Sequence, residues 1–342
     1  MVTLETKYMG LKLKSPIIIG SCGLTNSIDN IKNFEKYGAG AIVLKSIFEE
    51  QIRYEVMNSL KSHSNDPFYN EYNNISLKKD YEYAESLQYV SNYTKENTLK
   101  EYVNLIKEAK KSVSIPIIAS INCTTPYDWY YFTKRIQEAG ADAIELNIYM
   151  LPSDKTKNSE FYEKTHFDII SNVLKEVSIP VSVKVSYYFT SLAYTLSKIA
   201  NTGIKALVLF NRPFSPDIDI NTFNITSSNI LSSSSDYSQT LRWVALLSCN
   251  ISCDIAATTG IYNHETAIKQ ILAGASAVQI VSAIYKNSPN IISEINNNIM
   301  KWMENNKFNS INDFKGKLSS KNVKNPADFE RVQFMKYYSN IE

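Results

Sequence analysis

The sequence predicts an α/β fold, a single (β/α)8 barrel of the TIM type, with an insertion after strand 2 and a loop excursion after strand 6. Eight short apolar runs carry the prediction: 17–21, 41–46, 117–122, 143–148, 181–186, 206–211, 255–259 and 277–282. Each ends near a small, polar or charged residue, and mostly helical sequence separates them. A continuous β-rich apolar run suits a strand buried on both faces, as in a parallel sheet under helices. The entries to the strands repeat as well. Tyr37-Gly38-Ala39-Gly40, Ala139-Gly140-Ala141-Asp142, Thr202-Gly203-Ile204-Lys205 and Ala273-Gly274-Ala275-Ser276 precede four of them. Glycine there closes a helix in a left-handed cap and turns the chain into the next strand. Two other runs follow Ser-Ile-Pro, at Pro116 and Pro180, where proline stops a helix and permits a strand to begin. The rival is a doubly wound open sheet. It rarely has eight such units, and no Gly-x-Gly-x-x-Gly follows the first run.

Length agrees with this reading, because 342 residues hold one barrel of about 250 residues plus insertions without a second core. The barrel domain is read as 1–318, with an insertion over 47–112, and 319–342 as a C-terminal tail that packs as a helix on the barrel or on a partner subunit. A net charge of +2 with interspersed signs gives no electrostatic case for nucleic acid, and Lys107–Lys111 reads as a solvated helix face. No apolar stretch is long enough to span a membrane, and the amino terminus lacks a signal-peptide pattern, so the expectation is a cytoplasmic protein. Cys22, Cys123, Cys249 and Cys253 sit in or beside strands and helices, where thiols act as small buried apolar groups. No metal site is expected.

Two loops on the carboxyl side of the barrel stand out. The insertion after the second strand is rich in Tyr and Asn, holding Tyr54, Tyr69, Tyr72, Tyr81, Tyr83, Tyr89 and Tyr93. It reads equally as a lid or as a product of chain-wide Tyr and Asn enrichment, with 23 tyrosines in all. The excursion from Arg212 to about Ser238 is rich in Ser, Asn and Asp and reads as a flexible loop over the same rim.

Barrel active sites form at the strand carboxyl ends. That rule collects Ser21, Lys45, Ser46, Asn122, Asn147, Lys184, Ser186, Asn211, Thr258, Thr259 and Ser282. Lys45 and Lys184 end otherwise apolar runs and point toward one mouth, and burying an ammonium is costly unless it finds an anion or acceptors. The hydroxyls and backbone N–H groups that end the last two strands suit a phosphate at the usual barrel position. Together they suit a phosphorylated cofactor lying across the mouth. His63, His166 and His264 fall in loops or helix starts by the sequence pattern, and His264 begins a helix near the phosphate.

From about Tyr8 to Leu318 the chain resembles the dihydroorotate dehydrogenases of the soluble, FMN-binding class 1, and more narrowly their divergent dihydroorotate dehydrogenase-like subgroup. The resemblance is carried by Tyr8-Met9-Gly10-Leu11-Lys12-Leu13-Lys14-Ser15-Pro16, Ser21-Cys22-Gly23, Val43-Leu44-Lys45-Ser46, Glu145-Leu146-Asn147 and Val183-Lys184. It continues through Asn211, Thr259-Gly260-Ile261, Leu272-Ala273-Gly274-Ala275, Val278-Gln279-Ile280 and the stretch from Ser310 to Leu318. It implies that FMN binds Ser21, Cys22, Gly23, Lys45, Ser46, Asn147 and Lys184, with its phosphate at Thr259, Gly260 and Ser282. It further implies that Lys45, Asn147 and Asn211 meet a small planar substrate, that Lys45 and Asn147 take part in catalysis, and that the protein is a homodimer.

One departure bears on the chemistry. The family's strand-four motif Asn-Leu-Ser-Cys-Pro-Asn, whose Cys or Ser removes a substrate proton, reads here Asn147-Ile148-Tyr149-Met150-Leu151-Pro152. A thioether has no proton to exchange, and the neighbouring Tyr149 becomes the candidate general acid, with packing as its alternative role. Three functions stay open: a dihydroorotate-oxidising enzyme, an FMN oxidoreductase for another small cyclic or conjugated substrate, and a flavin-binding paralogue without turnover. A phosphosugar isomerase barrel explains the phosphate rim but not the lysines and asparagines together. The electron acceptor is unread, and a nicotinamide acceptor would require a separate partner subunit.

Overall fold

The computed structural model describes residues 2–48, 98–124, 129–212, 215–228 and 230–330. Eight parallel strands form the barrel: β1 Ile17–Ile19, β2 Ala41–Val43, β3 Ile117–Cys123, β4 Ala143–Ile148, β5 Val181–Val185, β6 Ala206–Leu209, β7 Asp254–Thr258 and β8 Ala277–Ile280. Each pairs with the next, and β8 returns to β1 through Val278 opposite Ile17, so the sheet closes. Ile47–Phe48 adds a two-residue pairing on the upper part of β3.

The helices are α1 Ile28–Lys36, α2 Thr98–Ser112, α3 Trp129–Glu138, α4 Ser159–Glu176, α5 Leu192–Ala200, α6 Tyr237–Leu247, α7 His264–Ala273, the short α8 Ser282–Asn287 and α9 Ile291–Asn305. The four glycines of the repeated entry phrase all turn the chain with positive φ: +91° at Gly38, +95° at Gly140, +105° at Gly203 and +123° at Gly274. A residue with a Cβ is strained there, which is why the phrase recurs. The prolines behave as expected. Pro116 and Pro180 lack an N–H, yet their carbonyls accept from Ile42 and Ile144 at 3.0 and 2.9 Å, so strand pairing starts on the residue that ends the turn.

Strand side chains alternate, so every strand but β5, whose inward residues are polar, serves two apolar cores. The outer one lies between sheet and helices and holds residues such as Ile17, Ile42, Ile144, Val183 and Leu207. The inner one fills the lower barrel. Ala41, Ala143, Ala206, Ala256 and Ala277 point inward with Ile18, Val43, Ile118 and Val208, and Tyr8, Met9 and Leu13 complete the cluster. Alanines leave space that these larger side chains occupy. They come from an antiparallel hairpin, Thr6–Tyr8 with Leu11–Leu13, that closes the barrel bottom. Asp254 anchors it by accepting from the Met9 N–H at 2.9 Å.

Several expectations are corrected. The excursion after β6 contains a regular antiparallel hairpin, Pro216–Asp219 with Asn224–Ser227, whose turn is held by Asp219 Oδ1 accepting from the N–H groups of Asn221 and Thr222 at 2.8 and 3.2 Å. Lys110 is not simply solvated; it bridges to Asp142 at 2.7 Å. Cys22, Cys249 and Cys253 are free and half-buried rather than fully buried, and Cys249 Sγ lies 3.3 Å from Ser320 Oγ. The described part of the tail shows a 3-10 turn, Pro326–Phe329, while residues 331–342, His63 and Tyr54, Tyr69, Tyr72, Tyr81, Tyr83, Tyr89 and Tyr93 of the insertion lie outside the described residues. His264 begins α7 as expected.

His166 is neither in a loop nor at a helix start. It lies within α4, 3 % exposed, with Nδ1–H donating to the Tyr162 carbonyl at 2.7 Å, Nε2 unpartnered and the ring 5.0 Å from that of Phe189. Burial outweighs the Tyr162 contact and lowers its pKa to about 4. An unfolded imidazole takes its proton near pH 6.5, so between there and pH 4 the unfolded state binds more protons and stability is lost as pH falls. The loss should reach roughly 3 kcal/mol. His166→Leu should remove it, so that the wild-type melting temperature falls relative to the variant's from pH 7 to pH 4; parallel curves would contradict this origin.

Candidate functional site

At the carboxyl end the barrel interior turns polar. Ser120, Glu145, Ser182, Lys184 and Gln279 are buried there, above the apolar floor. Lys184 Nζ donates to Gln279 Oε1 at 3.5 Å and lies 3.9 Å from Glu145 Oε1, while Gln279 Nε2 donates to Glu145 Oε2 at 2.6 Å. Burial pushes the Glu145 carboxyl above its usual range, with Lys184 and then Gln279 pulling it back. The sequence reading singled out Lys184 and missed Glu145 and Gln279. Alternation could have found Glu145, which shares a face with Asn147 two residues on.

Lys45 is placed differently from Lys184. It is exposed at the rim, two residues beyond the end of β2, so the buried-ammonium argument holds for Lys184 alone. Beside it a chain of hydroxyls enters the barrel. The Ser46 N–H donates to Ser21 Oγ at 2.9 Å, Ser46 Oγ lies 3.0 Å from Ser21 Oγ and 2.7 Å from Ser120 Oγ, and the Ser120 N–H donates to Tyr102 OH at 2.8 Å. Ser21 and Ser46 are thus brought together. Cys22 and Gly23 follow on the rim next to Tyr285, whose hydroxyl stands 3.3 Å from where a Gly23 Cβ would lie. Burial raises the Cys22 thiol pKa, which keeps it protonated and poorly nucleophilic.

On the far side Asn211 Nδ2 donates to Asn147 Oδ1 at 2.7 Å, joining the two predicted amides. Tyr149 is half-buried, its phenol pKa raised by burial and then by Tyr188, whereas Met150 packs against the outer apolar core. Asn211 and Thr259 share a cleft of about 470 Å³ with Tyr187, Phe210, Arg212 and Asp236.

Thr259, Gly260 and Ser282, to which the resemblance assigns a phosphate, lie where β7 and β8 end. Thr259 and Gly260 have φ of +78° and +73°, and positive φ in a β-branched residue is a true outlier. Ser232, missed by the sequence reading, links the pieces: its Oγ accepts from the Gly260 N–H at 3.4 Å, and its N–H donates to Ser282 Oγ at 3.0 Å. Its carbonyl accepts from Tyr262 OH and, at 3.4 Å, from Lys286 Nζ. Among the described residues no cluster of His, Cys, Asp or Glu could hold a metal, and no helix is long and apolar enough to cross a membrane.

A (β/α)8 barrel with a buried cation and paired amides at the carboxyl ends of its strands has the layout of a barrel enzyme. The family model described as dihydroorotate dehydrogenase matches residues 3–303, and the chain belongs to that family of oxidoreductases. Similar curated proteins include the catalytic subunit of dihydroorotate dehydrogenase B (NAD(+)) from Thermoplasma volcanium, 29 % identical over 92 % of this chain and 98 % of that one. The protein of the same name from Methanocaldococcus jannaschii is 25 % identical over 88 % of this chain and 94 % of its own.

Glu145 and Lys184 should be strongly coupled. Lys184→Met strands a carboxylate that is 1 % exposed, at a cost of roughly 3–5 kcal/mol. The Glu145→Gln/Lys184→Met double variant should be more stable than the sum of the single changes implies, by at least about 1 kcal/mol in urea denaturation. Additive losses would show that the pair does not interact.

Proposed function

We propose that this chain is an FMN-dependent oxidoreductase that moves hydride between a substrate C–C bond and flavin N5, with the oxidation of dihydroorotate to orotate in pyrimidine biosynthesis as its first candidate reaction. The observation that carries the reading is Lys184, a buried cation whose contacts at 3.5 and 3.9 Å leave donor capacity at the barrel mouth. A fixed positive charge there suits the electron-rich edge of a reduced flavin. The residues fit the group: Thr259, Gly260 and the Ser282 hydroxyl would border the phosphate where β7 and β8 end, and Ser21, Cys22, Gly23 and Ser46 would border the ring and ribityl chain. FMN, when bound, supplies the two-electron chemistry.

The chain's own groups do the rest. Lys184 and Lys45 hold charge near the ring, and Lys45 also meets the substrate. The Asn147–Asn211 pair presents amide edges to a planar, hydrogen-bonding substrate. Tyr149, on the same rim, is a candidate proton carrier. Homodimer formation also belongs to this proposal, and the exposed apolar side chains of the hairpin after β6, Ile218, Phe223 and Ile225, offer a surface for it. The electron acceptor is open; a nicotinamide acceptor, as in the relatives' name, would be served by a second subunit.

Met150 favours a second reading, in which FMN stays and the substrate is another small conjugated compound. An anaerobic absorption spectrum before and after adding dihydroorotate separates the two. Bleaching of a bound yellow flavin is expected from the first reading, a yellow protein that stays oxidised supports the second, and a colourless protein removes both. Lys45→Ala should slow flavin reduction about 100-fold while FMN content is retained. An unchanged rate would remove Lys45 from the chemistry.

A further inference from the structure

Exchange of a proton with a substrate carbon needs a donor or acceptor beside the orienting amides, and Met150 is neither. Among the described residues three phenols follow β4 and β5 at this rim: Tyr149 after β4, and Tyr187 and Tyr188 after β5. The Tyr187 and Tyr188 rings lie 4.9 Å apart at 51°, and Tyr187 meets Phe210 edge to face at 5.9 Å and 88°. These contacts hold Tyr187 as a wall of the 470 Å³ cleft that also contains Asn211 and Thr259. Tyr149 and Tyr188 do not line that cleft. Asn211 is bonded to Asn147, so the cleft opens beside the amide pair assigned to substrate.

We infer that Tyr187 is the proton donor of this site, protonating one carbon of a substrate C=C bond conjugated to a carbonyl while hydride reaches the other carbon. This rests on the flavin oxidoreductase reading. The balance is that of a saturation: the C=C π bond is lost, one C–H bond forms with hydride from the reduced cofactor, and a second forms with the phenol proton. Tyr187 is left as a phenolate, which regains its proton from solvent by way of Tyr188. The cofactor's electrons come from a reduced nicotinamide or a reduced protein carrier. The surroundings favour the acid form. Burial first, then Tyr188, Tyr149 and Asp236, push the Tyr187 phenol above its usual range. The nearby charges are already engaged: Asp236 lies 3.9 Å from Arg212 Nε, and Lys184 faces Glu145. A thiolate or alkoxide base suits oxidation, whereas a phenol that keeps its proton at neutral pH suits reduction.

The test is a stopped-flow half-reaction. FMN-loaded protein is photoreduced anaerobically and mixed with orotate or, separately, cyclohexenone, and the return of oxidised-flavin absorbance is followed. Tyr187→Phe should slow reoxidation by the responsive probe at least about 100-fold, with FMN stoichiometry unchanged and the solvent isotope effect lost. The loss in Tyr187→Phe should exceed that in Tyr149→Phe by at least about tenfold, and the wild-type rate should be flat from pH 6 to pH 9. Reoxidation of Tyr187→Phe at close to the wild-type rate overturns the inference, as does a large loss in Tyr149→Phe alone. A yellow wild-type protein reoxidised by neither probe also overturns it while leaving FMN binding standing. A colourless protein overturns the flavin reading and this inference with it.

Discussion

An ammonium inside a barrel persists only where the interior supplies an anion, and the upper half of this barrel is arranged around that requirement at Lys184. Glu145 supplies the charge, and Gln279 fixes the geometry by donating to one carboxylate oxygen while accepting from the lysine. An amide has one donating and one accepting end, so this placement leaves a single orientation for its side chain. The three residues sit on β4, β5 and β8, so one polar set spans the interior and ties strands that are not all neighbours. A low-dielectric floor strengthens such contacts. Tyr8, Met9 and Leu13 complete that floor from below, where five inward alanines leave room.

The fold was legible because its signals are local and repeated. Each glycine entry phrase specifies its own turn, and all four glycines adopt positive φ. Parallel strands buried on both faces leave continuous apolar runs, which is how all eight strands were found. The site was legible where a polar residue ends such a run, as for Asn147, Asn211 and Lys184. It was not legible where partners come from separate strands or loops. Glu145, Gln279 and Ser232 lie 134 residues apart or in an irregular excursion, and nothing local marks their meeting. His166 was misplaced although its spacing was legible: Ile169, Ile170 and Val173 stand three, four and seven residues on, which puts the histidine on their buried helix face.

The excursion after β6 divides into halves with different physics. Its hairpin exposes every side chain but one, so little beyond its own ladder holds it. The following stretch is fixed to the barrel through Ser232, whose backbone and hydroxyl engage groups that end β7, precede α7 and begin or belong to α8. The cleft walls therefore come partly from barrel strands and partly from this fixed stretch, with Asn211 on one side and Asp236 on the other.

That fixation accounts for the strained residue at the end of β7. Thr259 occupies a conformation that glycine takes freely, and such strain persists only where the surroundings over-determine it. The residue before it is held by Thr240 Oγ1 donating to the Thr258 carbonyl at 3.1 Å. Thr259 itself returns a hydrogen bond to the Phe210 carbonyl at 3.3 Å. The residue after it has no room to move, since a Cβ on Gly260 would stand 2.3 Å from the Tyr237 nitrogen at the start of α6. With both neighbours pinned, the threonine backbone has no relaxed alternative that keeps β7, the excursion and α6 in place. The turn that ends β7 is thus a consequence of packing around it, which is why a β-branched residue can stand there.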